Sequence, residues 1–568
     1  MPSLSRPERR SLLGAVVLSI VAFVVRAAGA DWTVAEERWF ELTLGGKPCG
    51  SMHTLEERDG ERVRSTRALQ MRLARGDTNV AVSTQSVFVE TARGEPIEAV
   101  LRQDLGGSPA ETTVRFERDG TGQGKAWKAT IKDGAGTREK VLPDDGWLTP
   151  AATERSVLER LKAGAREIRY RSIDVETGLE ISAVEMKRIG TGQAAIDHEA
   201  TPRMIQVGVW SVVDSIQKLE TTERFAQDRV LVESAAKLGI GELKTRLTSK
   251  ERAIEASQRT GVEIMVTSFV PAKRRLFDVM ELPSLRLKVT TKEGELPDLP
   301  EAGAQRVRRI APNEAEVEIV TARGSAPVGD EATSKAYLGR TQLIDGGSQE
   351  VQSLLERTVP KDRTLPPSER AEALRAAAGK ALPNKNLSSP FASASEALRV
   401  RGGDCSEHAV LLAALLREAG IPARVAAGLI YADRFAGERN VWAWHVWTQA
   451  LVPAAKGEGL EWVDYDATLP VRFHAAHLCV AVGALDAGAT DPMWTSTLSM
   501  IGNLSILDLR DDGRGDGTEA PRTKDETGGA RGSGKDSGQS PGQNPGQNPG
   551  QNPGQTPTSH PANGGATP

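Results

Sequence analysis

The feature that most constrains the fold is a long stretch of alternating apolar and polar residues in the first half of the 568-residue chain. Between residues 31 and 248 several runs have apolar side chains at every second position, for example Phe40, Leu42 and Leu44. Asp-Gly pairs separate several of these runs, at 59–60, 119–120 and 133–134. Period two indicates half-buried strands, and Asp-Gly favours hairpin turns. The stretch therefore predicts a large antiparallel sheet.

Hydrophobic periodicity and residue composition divide the rest of the chain into predicted segments. Inside the predicted sheet, one helix is expected near 152–163, after a proline and before a glycine. A Pro-containing segment at 249–325 has short apolar runs and is predicted to be a small β domain or an extension of the sheet. Helical patterns follow, and 340–510 is predicted to be an α+β domain. Residues 511–568 carry a Pro-Gly-Gln-Asn repeat with almost nothing to bury, which predicts a disordered tail.

The first 30 residues have the order of a secretory signal peptide. Basic residues precede a largely apolar run at 12–25, and Ala-Gly-Ala at 28–30 supplies small residues for cleavage. The run is short for a membrane span, which needs about 20 residues. Export to the periplasm, the cell envelope or the medium is therefore predicted, with an uncleaved N-terminal anchor as the alternative.

N-terminal sequencing of the mature protein from its native host decides between these two fates. Cleavage gives a chain that begins near Asp31, because the short apolar run ends in a cleavage motif there. A chain that still begins at Met1 and needs detergent for extraction would show the anchor instead.

Charge and cysteine content exclude several classes of protein. The chain has 72 Lys and Arg against 76 Asp and Glu, so it lacks the basic excess of a dedicated nucleic-acid binder. Three cysteines are too few for a disulfide scaffold or a Cys-rich zinc module. Cys49 and Cys479 lie in different predicted domains, and the sequence leaves their pairing open.

The third cysteine, Cys405, lies at the predicted start of a helix. Gly-Gly-Asp-Cys-Ser-Glu precedes an apolar run at 409–416 that a glycine closes. Asp404 can cap the helix, with Glu407 as its capping-box partner. In the first turn, unpaired backbone N–H groups and the helix dipole stabilise a thiolate and face an oxyanion. The position favours a nucleophilic cysteine.

A histidine and two aspartates follow on predicted strands. His445 lies in a β-like run, and a Lys-Gly-Glu-Gly turn leads to a second run with Asp464 and Asp466. Two antiparallel strands would bring His445 beside one of these aspartates. Cysteine, histidine and aspartate then form a nucleophile, a base and an orienting carboxylate.

These motifs resemble the core of the transglutaminase-like superfamily. The similarity covers about 349–507 and rests on four segments: Gly-Asp-Cys-Ser-Glu-His-Ala at 403–409, Gly-Ile-Pro-Ala-Arg-Val at 420–425, Trp-His-Val-Trp at 444–447 and Trp-Val-Asp-Tyr-Asp-Ala-Thr at 462–468. It implies Cys405 as nucleophile, His445 as base and Asp466 as third member, with Asp464 as the alternative. The implied fold is a multidomain chain with a large antiparallel β-rich N-terminal region, an α+β papain-like transglutaminase core and a disordered C-terminal tail.

The resemblance also implies an activity. Superfamily members of this exported, bacterial type resemble cysteine peptidases and amide acyltransferases, so we expect amide hydrolysis or transglutaminase-type exchange on protein or peptide substrates. Cell-wall or envelope components are further expected partners. We expect no binding to nucleic acid, and we expect membrane contact only through the alternative N-terminal anchor. A catalytically silent scaffold module of the envelope is the alternative.

No cofactor and no metal are predicted. A zinc site from Cys405, His408 and His445 would have only three ligands, and the pair His474 and His477 has no carboxylate partner recognisable in the sequence. We therefore expect none of these histidines to bind a metal, and we expect His408 to lie behind the catalytic residues or on the surface.

Overall fold

The computed structural model describes residues 32–509 of the chain, apart from short stretches. These are 77, 108, 120–125, 197–202, 217–219, 228–229, 260, 302, 323, 325–333, 336, 361–364, 386–391, 456–458, 486–492, 494–496 and 498–499. The predicted signal peptide at 1–30 and the predicted tail at 511–568 lie outside the described residues. Among the helices of the described part, none combines the length and the hydropathy needed to cross a membrane.

A 15-stranded sheet forms the N-terminal half. Its strands are β1 (Thr33–Leu44), β2 (Lys47–Asp59), β3 (Arg62–Arg75), β4 (Thr78–Thr91), β5 (Pro96–Leu105), β6 (Pro109–Arg118), β7 (Ala126–Asp133), β8 (Gly136–Pro143), β9 (Glu167–Ser172), β10 (Ser182–Ile196), β11 (Arg203–Asp214), β12 (Glu220–Phe225), β13 (Leu231–Leu238), β14 (Gly241–Thr248) and β15 (Val262–Glu263). The order runs from β8 to β1, then from β14 back to β9, so the first strand lies in the middle. Only the short β15 pairs in parallel, with β3, among the described strands of this sheet. The predicted antiparallel sheet is confirmed.

Local sequence explains how these strands form. In β1 the apolar residues Phe40, Leu42 and Leu44 are buried and the residues between them are half-buried, which is the burial expected of period two. The β2–β3 hairpin turns at Gly60, whose φ of 57° lies in the left-handed region that glycine tolerates. The first helix begins at Pro150, two residues before the predicted start, because proline is suited to the first helical position.

The described structure also has six α-helices, nine further strands and three short 3-10 helices at Val175–Thr177, Val266–Ser268 and Val279–Glu281. The helices are α1 (Pro150–Lys162), α2 (Lys250–Gln258), α3 (Gln349–Thr358), α4 (Pro367–Ala381), α5 (Ala394–Val400) and α6 (Cys405–Glu418). The strands are β16 (Val270–Pro271), β17 (Ser284–Thr291), β18 (Gln305–Ala311), β19 (Glu314–Val320), β20 (Ala423–Phe435), β21 (Glu438–Pro453), β22 (Leu460–Tyr465), β23 (His477–Gly483) and β24 (Leu504–Asp508).

The C-terminal half is built around α6. A five-stranded sheet has the order β16-β21-β20-β23, with β22 paired to β21, and α6 packs on β20 and β21. The helix is buried over almost its whole length, because its sequence is apolar on every side from Ala409 to Leu416. This arrangement is the predicted α+β core.

The segment predicted as a small β domain or an extension joins the C-terminal half. Strands β17, β18 and β19 form a four-stranded sheet with β24, which comes from the end of the described chain. Leu287, Val289 and Val317 of this sheet belong to the same buried cluster as Leu411 and Leu415 of α6. The sheet therefore shares one hydrophobic core with the helix that carries Cys405.

Candidate active site

Cys405 is the first residue of α6 and is partly exposed. Asp404 is the N-cap: its Oδ1 accepts a hydrogen bond from the backbone N–H of Ser406 at 2.8 Å, and Glu407 Oε2 accepts from the N–H of Asp404 at 2.7 Å. This is the predicted capping box. A side chain at Gly403 would collide with Glu407, so the close approach requires glycine. The capped first turn favours negative charge at Cys405.

Strand β21 carries His445 next to α6. In the sheet His445 lies opposite Gly428 of β20, where a Cβ would collide with the backbone oxygen of Leu478. One helical turn beyond Cys405, the carbonyl of Ala409 accepts a 2.9 Å hydrogen bond from Thr448 Oγ1 of β21. This bond ties the cysteine-bearing helix to the histidine-bearing strand.

The structure brings His445 and Asp466 into direct contact, with Cys405 nearby. His445 Nε2 lies 2.7 Å from Asp466 Oδ2, and the neighbouring Cys405 thiol acts to raise the pKa of His445. Because Nε2 faces the carboxylate, Nδ1 is the ring nitrogen left for the thiol. Asp466 is fully buried, and its Oδ1 accepts a second bond from the N–H of Thr468 at 2.7 Å.

The charges of these groups reinforce one another. Burial acts to lower the pKa of His445, but Asp466 and then Cys405 outweigh it and raise that pKa to about 10. Burial acts to raise the pKa of Asp466, yet His445 and His477 hold it well below its ordinary value. The site therefore favours an imidazolium beside a carboxylate at neutral pH.

Asp464, the alternative third member, serves a different purpose. Its Oδ1 accepts from Trp447 Nε1 at 2.8 Å and Gln449 Nε2 at 2.7 Å, and its Oδ2 accepts from the N–H of Ala304 at 2.8 Å. Burial raises the pKa of this carboxyl group. Asp464 in β22 therefore links this strand to β21 and to the residue before β18. Asp466, in contrast, faces His445.

His477 belongs to the site, contrary to the expectation of a histidine without a carboxylate partner. Its Nε2 lies 3.2 Å from Asp466 Oδ2, the oxygen that His445 also contacts, and its Nδ1 lies 2.8 Å from the carbonyl oxygen of His474. A carbonyl only accepts, so Nδ1 carries the proton. The sequence gives no local sign of this contact, because it depends on the pairing of β23 with β20.

The other two histidines considered in the sequence, His408 and His474, have lowered pKa values. His408 Nδ1 lies 2.6 Å from the carbonyl oxygen of Asp404, and burial lowers the pKa of this histidine. Burial, then the charge of His477, lowers the pKa of His474 to about 3. Both are therefore neutral at physiological pH.

One group of potential metal ligands is found among the described residues. His445, Asp466 and His477 each offer a ligand atom, and these atoms lie within 4.8 Å of one another. Two imidazoles and one carboxylate are a donor set that catalytic zinc accepts. A metal bound there would take over His445 Nε2, which now faces Asp466. Metal binding and the cysteine–histidine–aspartate arrangement therefore compete for the same atoms.

The three cysteines differ in environment, and all three are free. Burial raises the pKa of the Cys49 thiol to about 11 and raises that of Cys479 as well. Since the thiolate is the nucleophile, Cys405 should react with limiting iodoacetamide more than about tenfold faster than Cys479 at neutral pH. Peptide mapping by mass spectrometry measures both rates. Equal rates in the folded protein would contradict the placement of a reactive thiolate at the start of α6.

The raised pKa of His445 predicts a pH-dependent stability. The folded value of about 10 exceeds the ordinary 6.5, so the folded chain binds the additional proton between these values. The stabilisation is present in full below pH 6.5 and is lost as the pH rises through about 10. We expect urea unfolding to show a larger free-energy difference between wild type and His445→Gln near pH 6 than near pH 10.5. A difference that grows with pH would contradict the ion pair.

The C-terminal half is thus an α+β domain in which a buried His445–Asp466 pair lies near Cys405 at the capped start of α6. The family model of the transglutaminase-like superfamily matches residues 357–467, so the chain contains a transglutaminase-like superfamily domain. The predicted resemblance is confirmed. No curated protein matches the sequence of this chain.

Several solved structures are similar to parts of this chain. A beta-barrel-like protein of a domain of unknown function (DUF1849) from Brucella abortus is 13% identical and matches over 38% of this chain and 95% of its own, with a TM-score of 0.29. A "putative cysteine protease" from Cytophaga hutchinsonii is 14% identical over 41% of this chain and 87% of its own, with a TM-score of 0.26. A "putative protease" from Parabacteroides distasonis is 10% identical over 66% and 68%, with a TM-score of 0.16.

Proposed function

We propose that this protein is a thiol-dependent enzyme that transfers acyl groups from amide bonds of proteins or peptides, mainly to water. The observation that supports this most directly is the 2.7 Å contact between His445 and Asp466 next to Cys405 at a capped helix start. Such an arrangement supplies a nucleophile, a proton carrier and a fixed counter-charge in one place.

Acylation would begin with attack of the Cys405 sulfur on the amide carbonyl carbon. A carbon–sulfur bond forms while the carbonyl π electrons move to oxygen, and the N–H groups at the start of α6 stabilise that oxyanion. The intermediate then expels the amine, which takes the proton from Nδ1 of His445. Asp466 keeps the imidazole oriented throughout, and a thioester on Cys405 remains.

Deacylation would use the same groups in reverse. Neutral His445 removes a proton from water, whose oxygen attacks the thioester carbon, and the carbon–sulfur bond breaks. The products are a carboxylic acid and the regenerated thiolate–imidazolium pair. A primary amine in place of water would give transglutaminase-type exchange. We favour hydrolysis because water is abundant and the sequence shows no dedicated acceptor site.

A time course on peptide substrates and casein, with and without an added primary amine, tests the proposed function. We expect loss of amide bonds that persists in EDTA and disappears in Cys405→Ala. Incorporation of the amine would assign transglutaminase-type exchange instead. Loss of activity in EDTA with retention in Cys405→Ala would assign the ligand group of His445, Asp466 and His477 to metal chemistry. Identical behaviour of wild type and Cys405→Ala on every substrate, with envelope binding unchanged, would favour the scaffold module.

We place this activity outside the cytoplasm, in the periplasm, cell envelope or medium. The support is the signal-peptide pattern at 1–30, which lies outside the described residues. Envelope proteins or peptides are then the accessible substrates. Detection of the native protein only in the cytoplasmic fraction would contradict this location.

A further inference from the structure

A side chain of the large N-terminal sheet contacts the residue before the candidate nucleophile. Arg75 is the last residue of β3, and its Nη2 lies 2.6 Å from Oδ2 of Asp404, the residue before Cys405. The Asp404 side chain is only 8% exposed and that of Arg75 only 21%. Arg75 also interacts electrostatically with Cys405 and Glu407. A residue of the first half of the chain thus contributes a positive charge to the site.

The segment that connects the two halves fixes the backbone on either side of Arg75. Strand β15 pairs with Leu73 and Ala74, directly before Arg75. Glu263 of β15 accepts a 2.8 Å hydrogen bond from the N–H of Gly76, directly after Arg75. The backbone on both sides of Arg75 is therefore fixed.

The same connecting segment is attached to the strand that carries His445. Val270 of β16 pairs with Trp442 of β21, and Trp444 Nε1 donates a 3.1 Å hydrogen bond to the carbonyl oxygen of Ser268. The segment from β15 to β16 thus links the Arg75 end of β3 to the strand of the candidate base. Arg75 is positioned by both halves of the molecule.

The positive charge of Arg75 compensates the negative charge of the Asp404 carboxylate. Oδ1 of Asp404 is used by the backbone N–H and the hydroxyl of Ser406, at 2.8 and 2.6 Å, which leaves Oδ2 for the guanidinium. Burial acts to raise the pKa of Asp404, but Arg75 and further hydrogen bonds lower it, so this carboxylate remains charged. Without the guanidinium, that negative charge would oppose a thiolate on the adjacent Cys405.

We propose that Arg75 is a positioning residue that the N-terminal sheet supplies to the active site, where it neutralises Asp404 and thereby stabilises the thiolate of Cys405. This inference rests on the proposed function. It makes the N-terminal sheet a part of the catalytic centre, rather than a separate domain that only presents substrates. Displacement of the sheet from α6 would then lower the reactivity of the enzyme.

The test uses the full-length protein and measures alkylation of Cys405 by iodoacetamide at neutral pH, together with kcat and KM. Arg75→Met removes the charge and should slow alkylation about tenfold, the order of magnitude for loss of one nearby charge. Arg75→Lys keeps the charge and should remain within about threefold of wild type. Arg72→Met, at an exposed position of the same strand, is the matched control and should react as wild type does. The loss should appear in kcat rather than KM.

A double-mutant cycle with Asp404→Asn shows whether Arg75 acts through Asp404. The amide can still accept from Ser406 but carries no charge, so Arg75→Met should cost less than about threefold in this background. An equal cost in both backgrounds, or normal alkylation of Cys405 in Arg75→Met, would overturn the inference while leaving the proposed function intact. Slow alkylation of Cys405 in the wild type would overturn the proposed function itself. If Arg75→Met does not fold, Arg75→Gln provides the same comparison.

Discussion

Replacement of Cys405 or His445 by alanine should lower kcat/KM on an amide substrate by at least about a thousandfold, and the double replacement should cost little more. In the proposed mechanism the thiol and the imidazole exchange one proton, so neither performs its role without the other. The measurement is a set of steady-state rates for wild type, both single variants and the double variant, each corrected for its folded fraction.

Cys479→Ala is the matched control for this set. Cys479 is a buried cysteine of β23 whose thiol bonds a backbone carbonyl, so its loss affects packing rather than chemistry. Its rate should stay within about threefold of wild type. Fully additive losses in Cys405→Ala and His445→Ala would show that the two residues do not act as one unit.

Loss of the Asp466 carboxylate should be the next largest effect. Asp466→Ala leaves Nε2 of both His445 and His477 without their shared partner, and we expect kcat to fall by about a thousandfold. Asp466→Asn should lose less, because an amide oxygen still accepts from His445 although it cannot stabilise the imidazolium by charge. Steady-state rates of both variants check this order.

Asp464→Asn provides the comparison for Asp466→Asn. Both aspartates are buried and lie two residues apart at the end of β22, but Asp464 bonds Trp447, Gln449 and the backbone of Ala304. Its replacement should lower the free energy of unfolding and leave kcat of the folded protein within about threefold. A larger loss of kcat in Asp464→Asn than in Asp466→Asn would mean that the third member is misassigned.

Sequence patterns were sufficient to predict those structural features that depend on residues close together in the chain. Strands of the N-terminal sheet could be predicted where burial alternates along them, as in β1. The start of α6 could be predicted because Asp404 and Glu407 form a local capping box. His445 and Asp466 could be proposed as site residues because they lie in short motifs at a fixed spacing.

Contacts that depend on the pairing of strands distant in sequence could not be predicted from the sequence. His477 meets Asp466 only because β23 pairs with β20, and Arg75 meets Asp404 only because β3 ends beside α6. Strand β24 completes the sheet of β17 although β17 ends at Thr291 and β24 begins at Leu504. Such contacts are decided by long-range register and packing, which no local period encodes.

The most direct test of the central claim is the intact mass of the protein after reaction with a thiol-directed acyl substrate mimic, followed by peptide mapping. We predict one acyl group per chain, on Cys405, in wild type and in Cys479→Ala. Formation should be much slower in His445→Ala and absent in Cys405→Ala. An acyl group on another residue, or amide cleavage by wild type with Cys405 unmodified throughout, would contradict the account.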